Sequence, residues 1–335
     1  MKAIEITAFG LEKLQLVERP TPAPGPGQLL IRIEAVSLNY LDLMVVRGHY
    51  NPQLALPHVP GADGAGTVQA VGTGVTDWQP GDRVTTHFMQ NWLDGPPTAH
   101  SADAKLGATL PGVLAEYVVL PASGVVRTPA HMSSAEAATL PVAGLTAWVG
   151  LVEYGHLRPG QTVLTQGTGG VSIAALQLAK AAGARVIATT GSADKAGQLR
   201  ALGADEVINY RTTPDWPAQV KALTGGEGVD LTLNTVGGES INQSLQAIRP
   251  GGLVGLVGVI EGVEATFNMS QAFSSFATLK AYQVGSRRRF EDYGRALESS
   301  GIRPVVDRTF PLAEAQAAFR YLEEGAHVGK VVITL

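Results

Sequence analysis

No cysteine occurs among the 335 residues, which excludes disulfides, catalytic thiols and every thiolate-bound zinc site. Charged residues are scarce, at 16% against 45% hydrophobic, a balance too apolar for a disordered chain. A long basic run is missing and the net charge is −4, which argues against a nucleic acid or an acidic membrane as partner. No apolar stretch reaches the roughly 18 residues of a membrane span. The opening Met1-Lys2-Ala3-Ile4-Glu5 carries a glutamate where a signal peptide would be apolar, so the expected location is the cytoplasm. What abounds is glycine. There are 40, where ordinary usage of about 7% gives roughly 23, and the surplus points to turns and close backbone contacts. The length suggests two domains, each large enough for its own core.

Residues 1–127 read as all-β. Leu11 to Leu16 and Leu29 to Val36 alternate apolar and polar, the period of a half-buried strand. Turns are dense, at Pro24-Gly25-Pro26-Gly27, Gly72-Thr73-Gly74 and Pro80-Gly81-Asp82, which suggests a small barrel or sandwich. The pattern changes after that. Ser133-Ser134-Ala135-Glu136 matches a capping box, and from there to about residue 260 strands alternate with helices. Strands are expected at Thr162 to Thr165, Arg185 to Thr190, Glu206 to Tyr210, Val229 to Asn234 and Leu253 to Val257. Helices are expected at Gly170 to Ala182 and from about Ala193 to Leu202. Such alternation requires parallel strands with crossover helices, a doubly wound α/β sheet. Residues 266–335 combine a helix, Leu312 to Glu324, with a final strand from Lys330 to Leu335 that could return to either domain.

Between the first parallel strand and its helix stands Gly167-Thr168-Gly169-Gly170-Val171-Ser172. A glycine-rich hexapeptide alone is a tight turn, but here it follows a strand and opens a helix. Gly167 permits the turn, Gly169 lets a pyrophosphate approach, and the free N–H groups of the helix start stabilise its charge. Ser172 replaces the third glycine and is small enough for close helix–strand packing. An NAD site usually carries Asp or Glu at the end of the second strand, to hold the ribose 2′-hydroxyl. Here that place reads Thr190-Gly191-Ser192-Ala193-Asp194-Lys195, a hydroxyl and a cation suited to a 2′-phosphate. The expected cofactor is therefore NADP(H), with Asp194 keeping NAD open. Read blandly, Ser192 is an ordinary N-cap and Lys195 a solvated surface lysine.

The chain resembles the medium-chain dehydrogenase/reductases, and among them the zinc-independent, quinone-oxidoreductase-like branch. The stretches that carry this are Ser37-Leu38-Asn39-Tyr40-Leu41-Asp42, Pro60-Gly61-Ala62-Asp63-Gly64-Ala65-Gly66, Gly81-Asp82-Arg83-Val84 and Ala115-Glu116-Tyr117. Gly144-Leu145-Thr146-Ala147, the glycine loop, Leu202-Gly203-Ala204-Asp205 and Gly329-Lys330-Val331-Val332 continue the series. The resemblance implies a GroES-like β-barrel domain (1–127), a Rossmann domain (128–265), and a return to the first domain (266–335). It implies Thr146 beside the cofactor, and Ser192, Lys195 and Tyr210 around the 2′-phosphate. Read alone, Tyr210 is a strand-end aromatic. It also suggests a homodimer or homotetramer. Zinc-dependent relatives place a cysteine where Asn39 stands, a His-Glu pair at Ala62-Asp63, and a third ligand near Val142. No metal is expected here.

Without zinc, the charge that develops on a substrate oxygen during hydride transfer needs hydrogen-bond donors, and a phenol or water must deliver the proton. Quinones and enones need the least help, because the charge is delocalised, so they are the expected substrates. Zinc-free alcohol or carbonyl chemistry is the enzymatic alternative, and a non-catalytic NADPH-binding protein the other. The candidate donors are Asn39, Tyr40 and Tyr50. Asn39 could equally satisfy a loop backbone, and either tyrosine could be a packing residue. Asp42 and Asp63 are expected to hold neighbouring backbone or an arginine such as Arg47. His49, Phe88 and Trp92 could line the pocket, though a lone loop histidine seldom relays protons and both aromatics could be core.

Overall fold

The computed structural model describes residues 1–335. The chain forms two compact units, residues 1–145 with 284–335, and residues 146–283.

In the first unit the strand Gln28–Leu38 is the hub of a seven-stranded sheet. Its order is Val306–Pro311, Lys330–Thr334, Gln28–Leu38, Asp63–Val71, Arg83–Thr86 and Val125–Arg127, and Tyr117–Pro121 also pairs with the hub. Ile31, Ile33, Val84, Leu114 and Phe319 are buried in its core. Each is worth about 1.5–3 kcal/mol of transfer free energy, so alternation along the hub fixes which face turns inward. Register then places the site. Ser37 lies opposite Asp63, and Leu38 opposite Val331, in antiparallel pairs. Asn39, Asp63 and Lys330 therefore gather at one end of three adjacent strands.

The second unit is a six-stranded sheet with every pair parallel. Its order is Glu206–Asn209, Arg185–Thr190, Thr162–Gln166, Val229–Asn234, Ile248–Leu256 and Thr278–Ala281. The chain runs outward from Thr162–Gln166 and then returns to its other side at Val229–Asn234. That reversal is the switch point, where open α/β sheets bind ligands beyond their strand ends.

Several stretches depart from the sequence expectation. Leu11–Lys13 is a 3₁₀ turn, and the strand begins only at Leu14–Glu18, because Gly10, at φ 129°, bends the chain and its carbonyl accepts from the Lys13 N–H. The last parallel strand but one starts at Ile248, ahead of Leu253, and Leu312–Glu314 is a 3₁₀ turn before the helix Ala315–Glu324. The unit boundaries fall at 145 and 283, past 127 and 265. The helix Ser134–Ala137, with the capping box in place, packs on the hub strand, and Thr278–Ala281 adds a sixth strand to the parallel sheet. No helix is long and apolar enough to cross a membrane.

Candidate functional site

The glycine loop lies at the switch point. Gly167 adopts φ 77°, and a Cβ on either Gly167 or Gly169 would meet nothing within 4 Å. These glycines therefore face open space, and internal packing does not call for them. Gly169 is the N-cap of the helix Gly170–Ala181, so the N–H groups of Gly170, Val171 and Ser172 have no acceptor within the helix. Ser172 differs from its neighbours in where its side chain goes. Its hydroxyl donates to the Gln166 carbonyl at 2.6 Å, pinning the helix to the strand, so only its backbone N–H is left for a ligand.

A second group gathers at the end of Arg185–Thr190. Ser192 caps the helix Ala193–Ala201 by position, yet its hydroxyl makes no capping bond. Lys195 Nζ donates to Thr168 Oγ1 at 3.2 Å, tying this strand end to the glycine loop. Tyr210 is 42% exposed, more than a packed strand-end aromatic would be. A Cβ on Gly191 would sit 2.5 Å from the Tyr210 hydroxyl and 3.1 Å from Arg211 Nε, so glycine here lets both side chains lie over the strand end. Sequence reasoning missed Arg211, although a cation directly after Tyr210 was the available signal. Thr146 is buried, and its carbonyl accepts from the Tyr282 hydroxyl at 3.1 Å. Open glycines and unspent helix N–H groups are suited to the diphosphate of a nicotinamide dinucleotide, with hydroxyls and cations beside its ribose.

The three strand ends of the first unit hold a buried polar network. Lys330 Nζ donates to the Leu38 carbonyl at 2.6 Å and to Asn39 Oδ1, and lies 4.0 Å from Asp63 Oδ2. Asn39 Nδ2 donates to Asp63 Oδ2 at 2.9 Å, which leaves its second N–H unspent. Asp63 also accepts from the Val142 N–H at 3.4 Å, while its Oδ1 has no partner. Asp42 accepts from the N–H groups of Asn39 and Ala62, at 2.7 and 3.0 Å. Burial pushes the Asp63 carboxyl up to about 7, opposed by the Lys330 charge, and pushes Asp42 up to about 6, opposed chiefly by the Asn39 N–H. Burial likewise lowers Lys330. Backbone does hold Asp42, but the cation of this network is Lys330, and Arg47 pairs with Glu323 on the surface.

Tyr40 and Tyr50 stand apart from that network. Tyr40 opens the helix Tyr40–Val46 and is 45% exposed. Tyr50 is half-buried, and its hydroxyl accepts from Lys105 Nζ at 3.0 Å. His49 is exposed, whereas Phe88 and Trp92 are core residues. In this unit, Lys105 and Lys330 are charged groups to which sequence reasoning gave no role of their own.

The chain matches the profile of the alcohol dehydrogenase GroES-like domain over residues 25–130, and that of zinc-binding dehydrogenases over residues 170–299. A zinc-type alcohol dehydrogenase-like protein of Schizosaccharomyces pombe is 38% identical over 99% of this chain and 97% of its own. A solved NAD-dependent alcohol dehydrogenase is 38% identical, with all of both chains covered and a TM-score of 0.90. A mycobacterial protein solved in complex with NADPH is 30% identical over the full length of both, with a TM-score of 0.83. The β unit is thus GroES-like and the parallel sheet Rossmann-like, and the chain belongs to the medium-chain dehydrogenase/reductase family of nicotinamide-dependent oxidoreductases.

Proposed function

We propose that this protein is a zinc-independent, NADPH-dependent reductase of conjugated carbonyl compounds, quinones and enones. Lys330 carries the reading. Its ammonium donates into Asn39 and stands 4.0 Å from the Asp63 carboxylate, so a fixed positive charge occupies the centre of this donor set. A divalent ion there would face that charge, with an amide and one carboxylate as ligands and no thiolate or imidazole. Zinc does not fit, and no cluster of three or more His, Cys, Asp or Glu residues offers another metal site. Elemental analysis of active, dialysed protein should therefore find well under one zinc per chain, with activity indifferent to a chelator. Stoichiometric zinc whose removal abolishes turnover would sink the reading.

Substrate oxygen must then be stabilised by donors of the chain itself. The unspent N–H of Asn39 is fixed in direction, because Lys330 holds the amide oxygen and Asp63 the other N–H. One such donor suffices best where charge is already delocalised, which favours quinones and enones over simple ketones. NADPH, when bound, supplies the hydride. The decisive assay is a panel of quinones, enones, ketones and alcohols run with both NADPH and NADH. Alcohol oxidation is the second reading, favoured by the names of the relatives; turnover of alcohols with NADP+ but of no conjugated carbonyl would select it.

The preference for NADPH rests on the strand end, where Ser192, Lys195, Tyr210 and Arg211 gather and no acid follows Thr190 before Asp194. A charge-assisted hydrogen bond is worth about 1.5–3 kcal/mol, so Lys195→Ala should weaken NADPH roughly ten- to a hundredfold and barely move NADH. Titration of both cofactors by fluorescence reads this directly. Equal losses would place the lysine's role in the fold, through its bond to Thr168.

A further inference from the structure

We infer that Lys105 aims and recharges Tyr50 as a proton donor, an inference that rests on the reductase reading above. Lys105 is only 8% exposed, and a lysine is seldom buried without an anionic partner. Its ammonium pairs with no carboxylate; its partner is the Tyr50 hydroxyl at 3.0 Å, with the charge 5.7 Å from the ring centre. The backbone that carries it is held firmly. Lys105 N donates to Thr109 Oγ1 at 2.8 Å, and its carbonyl accepts from Ala108, Thr109 and Leu110. Flanking backbone bonds, Gln90 N to the Ala104 carbonyl and Leu106 N to the Phe88 carbonyl, fix the turn on both sides.

The chemistry follows from the donor count. An ammonium only donates, so its bond to Tyr50 consumes a lone pair of the phenol oxygen. The phenol's own proton must point elsewhere, and no protein acceptor takes it. Tyr50 is therefore a donor whose proton is turned outward. After hydride from NADPH has reached the β-carbon of an enone, leaving NADP+, the Tyr50 O–H bond breaks and its proton joins the α-carbon of the enolate. The phenolate so formed lies against the Lys105 ammonium, a charge-assisted hydrogen bond. Lys105 then passes a proton to the phenolate oxygen and regains one from solvent. The sum is one hydride and one proton added to the substrate. Lys105 is a positioning residue, because it touches Tyr50 rather than the substrate.

The test is a set of four variants assayed with NADPH and an enone: Lys105→Met, Lys105→Arg, Tyr50→Phe and the double Tyr50→Phe/Lys105→Met. Lys105→Met should lower kcat about a hundredfold, within the usual range for general acid catalysis, while KM and the NADPH Kd change little. Arginine, which also donates to a phenol but does not give up its proton, should restore the aim without the recharging and so return only part of the rate. In the Tyr50→Phe background the Lys105→Met change should cost nothing more, because the lysine acts through the phenol. That comparison within the Phe background also separates this role from partial unfolding, which would slow both backgrounds equally. Independent, multiplying losses, or full activity in Lys105→Met, would overturn the inference while leaving the reductase reading in place. A wild type that turns over no conjugated carbonyl would overturn the reductase reading, and this role with it.

Discussion

Replacing Lys330 by methionine should destabilise the protein by about 3–5 kcal/mol near neutral pH, the usual cost of leaving one member of a buried ion pair alone. Lys330 is 6% exposed and Asp63 is fully buried, so solvent cannot take over from the lost partner. Two acceptors, the Leu38 carbonyl and Asn39 Oδ1, lose their donor as well. The dependence on pH has a definite sign. Burial already lifts the Asp63 carboxyl from the usual 3.8 to about 7, and the Lys330 charge opposes that rise. Without the lysine, folded Asp63 holds its proton to still higher pH, while the unfolded chain releases it near the ordinary value. The folded variant then binds more protons than the unfolded one across this window, so its stability falls as pH rises. The deficit against wild type should be smaller at about pH 5, where the two stranded acceptors account for it, and larger at about pH 8, where the Asp63 charge adds to it. Adding Asp63→Asn removes the stranded carboxylate and should recover most of the loss, because a pair replaced together is often neutral. Urea unfolding of the single and double variants at both pH values measures this. A deficit that is flat with pH, or that the second change does not relieve, would mean that the two groups are not coupled.

The parts of this chain legible in its sequence are those governed by neighbours along the chain. Arg185–Thr190 and Val229–Asn234 are short apolar runs bounded by turn residues, and both occur as strands within those limits. The Ser133–Glu136 capping box and the helix that follows the glycine loop are equally local. The strand Thr278–Ala281 is four residues long and half polar, so nothing in its own pattern marks it; it is a strand because Ile248–Leu256 offers an open edge. Within the candidate site the same division holds. Glycines, a cap and a cation at fixed offsets from two strands could be read directly. The two lysines could not. Lys105 reaches Tyr50 across 55 residues and Lys330 reaches Asn39 across 291, distances over which only the folded sheet sets proximity. Asn39 shows the cost of that blindness. Its choice between a pocket donor and a structural amide turned on partners far away in sequence, and the network holds it as a structural amide with one N–H left over.

Between the two tyrosines put forward as proton sources, Tyr50→Phe should cost about 10²–10⁴-fold in kcat with an enone, and Tyr40→Phe much less. The distinction comes from their surroundings. Tyr40 sits 45% exposed at a helix start, where water can replace whatever its hydroxyl does. Tyr50 is half-buried, and its oxygen is held by a buried ammonium that leaves its proton directed away from Lys105. Phenylalanine removes that proton and changes little in volume, so the ring keeps its packing. The acceptor should modulate the size of the effect. Reduction of an enone ends with proton transfer to carbon, a step that needs a positioned acid. A quinone leaves its charge on oxygen atoms conjugated with an aromatic ring, and these can take a proton from water after release. Tyr50→Phe should therefore retain a larger share of wild-type rate with a quinone than with an enone, at unchanged NADPH affinity. Steady-state rates for both variants on both acceptors settle the assignment. Full activity of Tyr50→Phe with the enone would move the acid to water or to another residue. A loss confined to Tyr40→Phe would place it at the helix start, next to Asn39, whose fixed N–H would then share the substrate oxygen with that phenol.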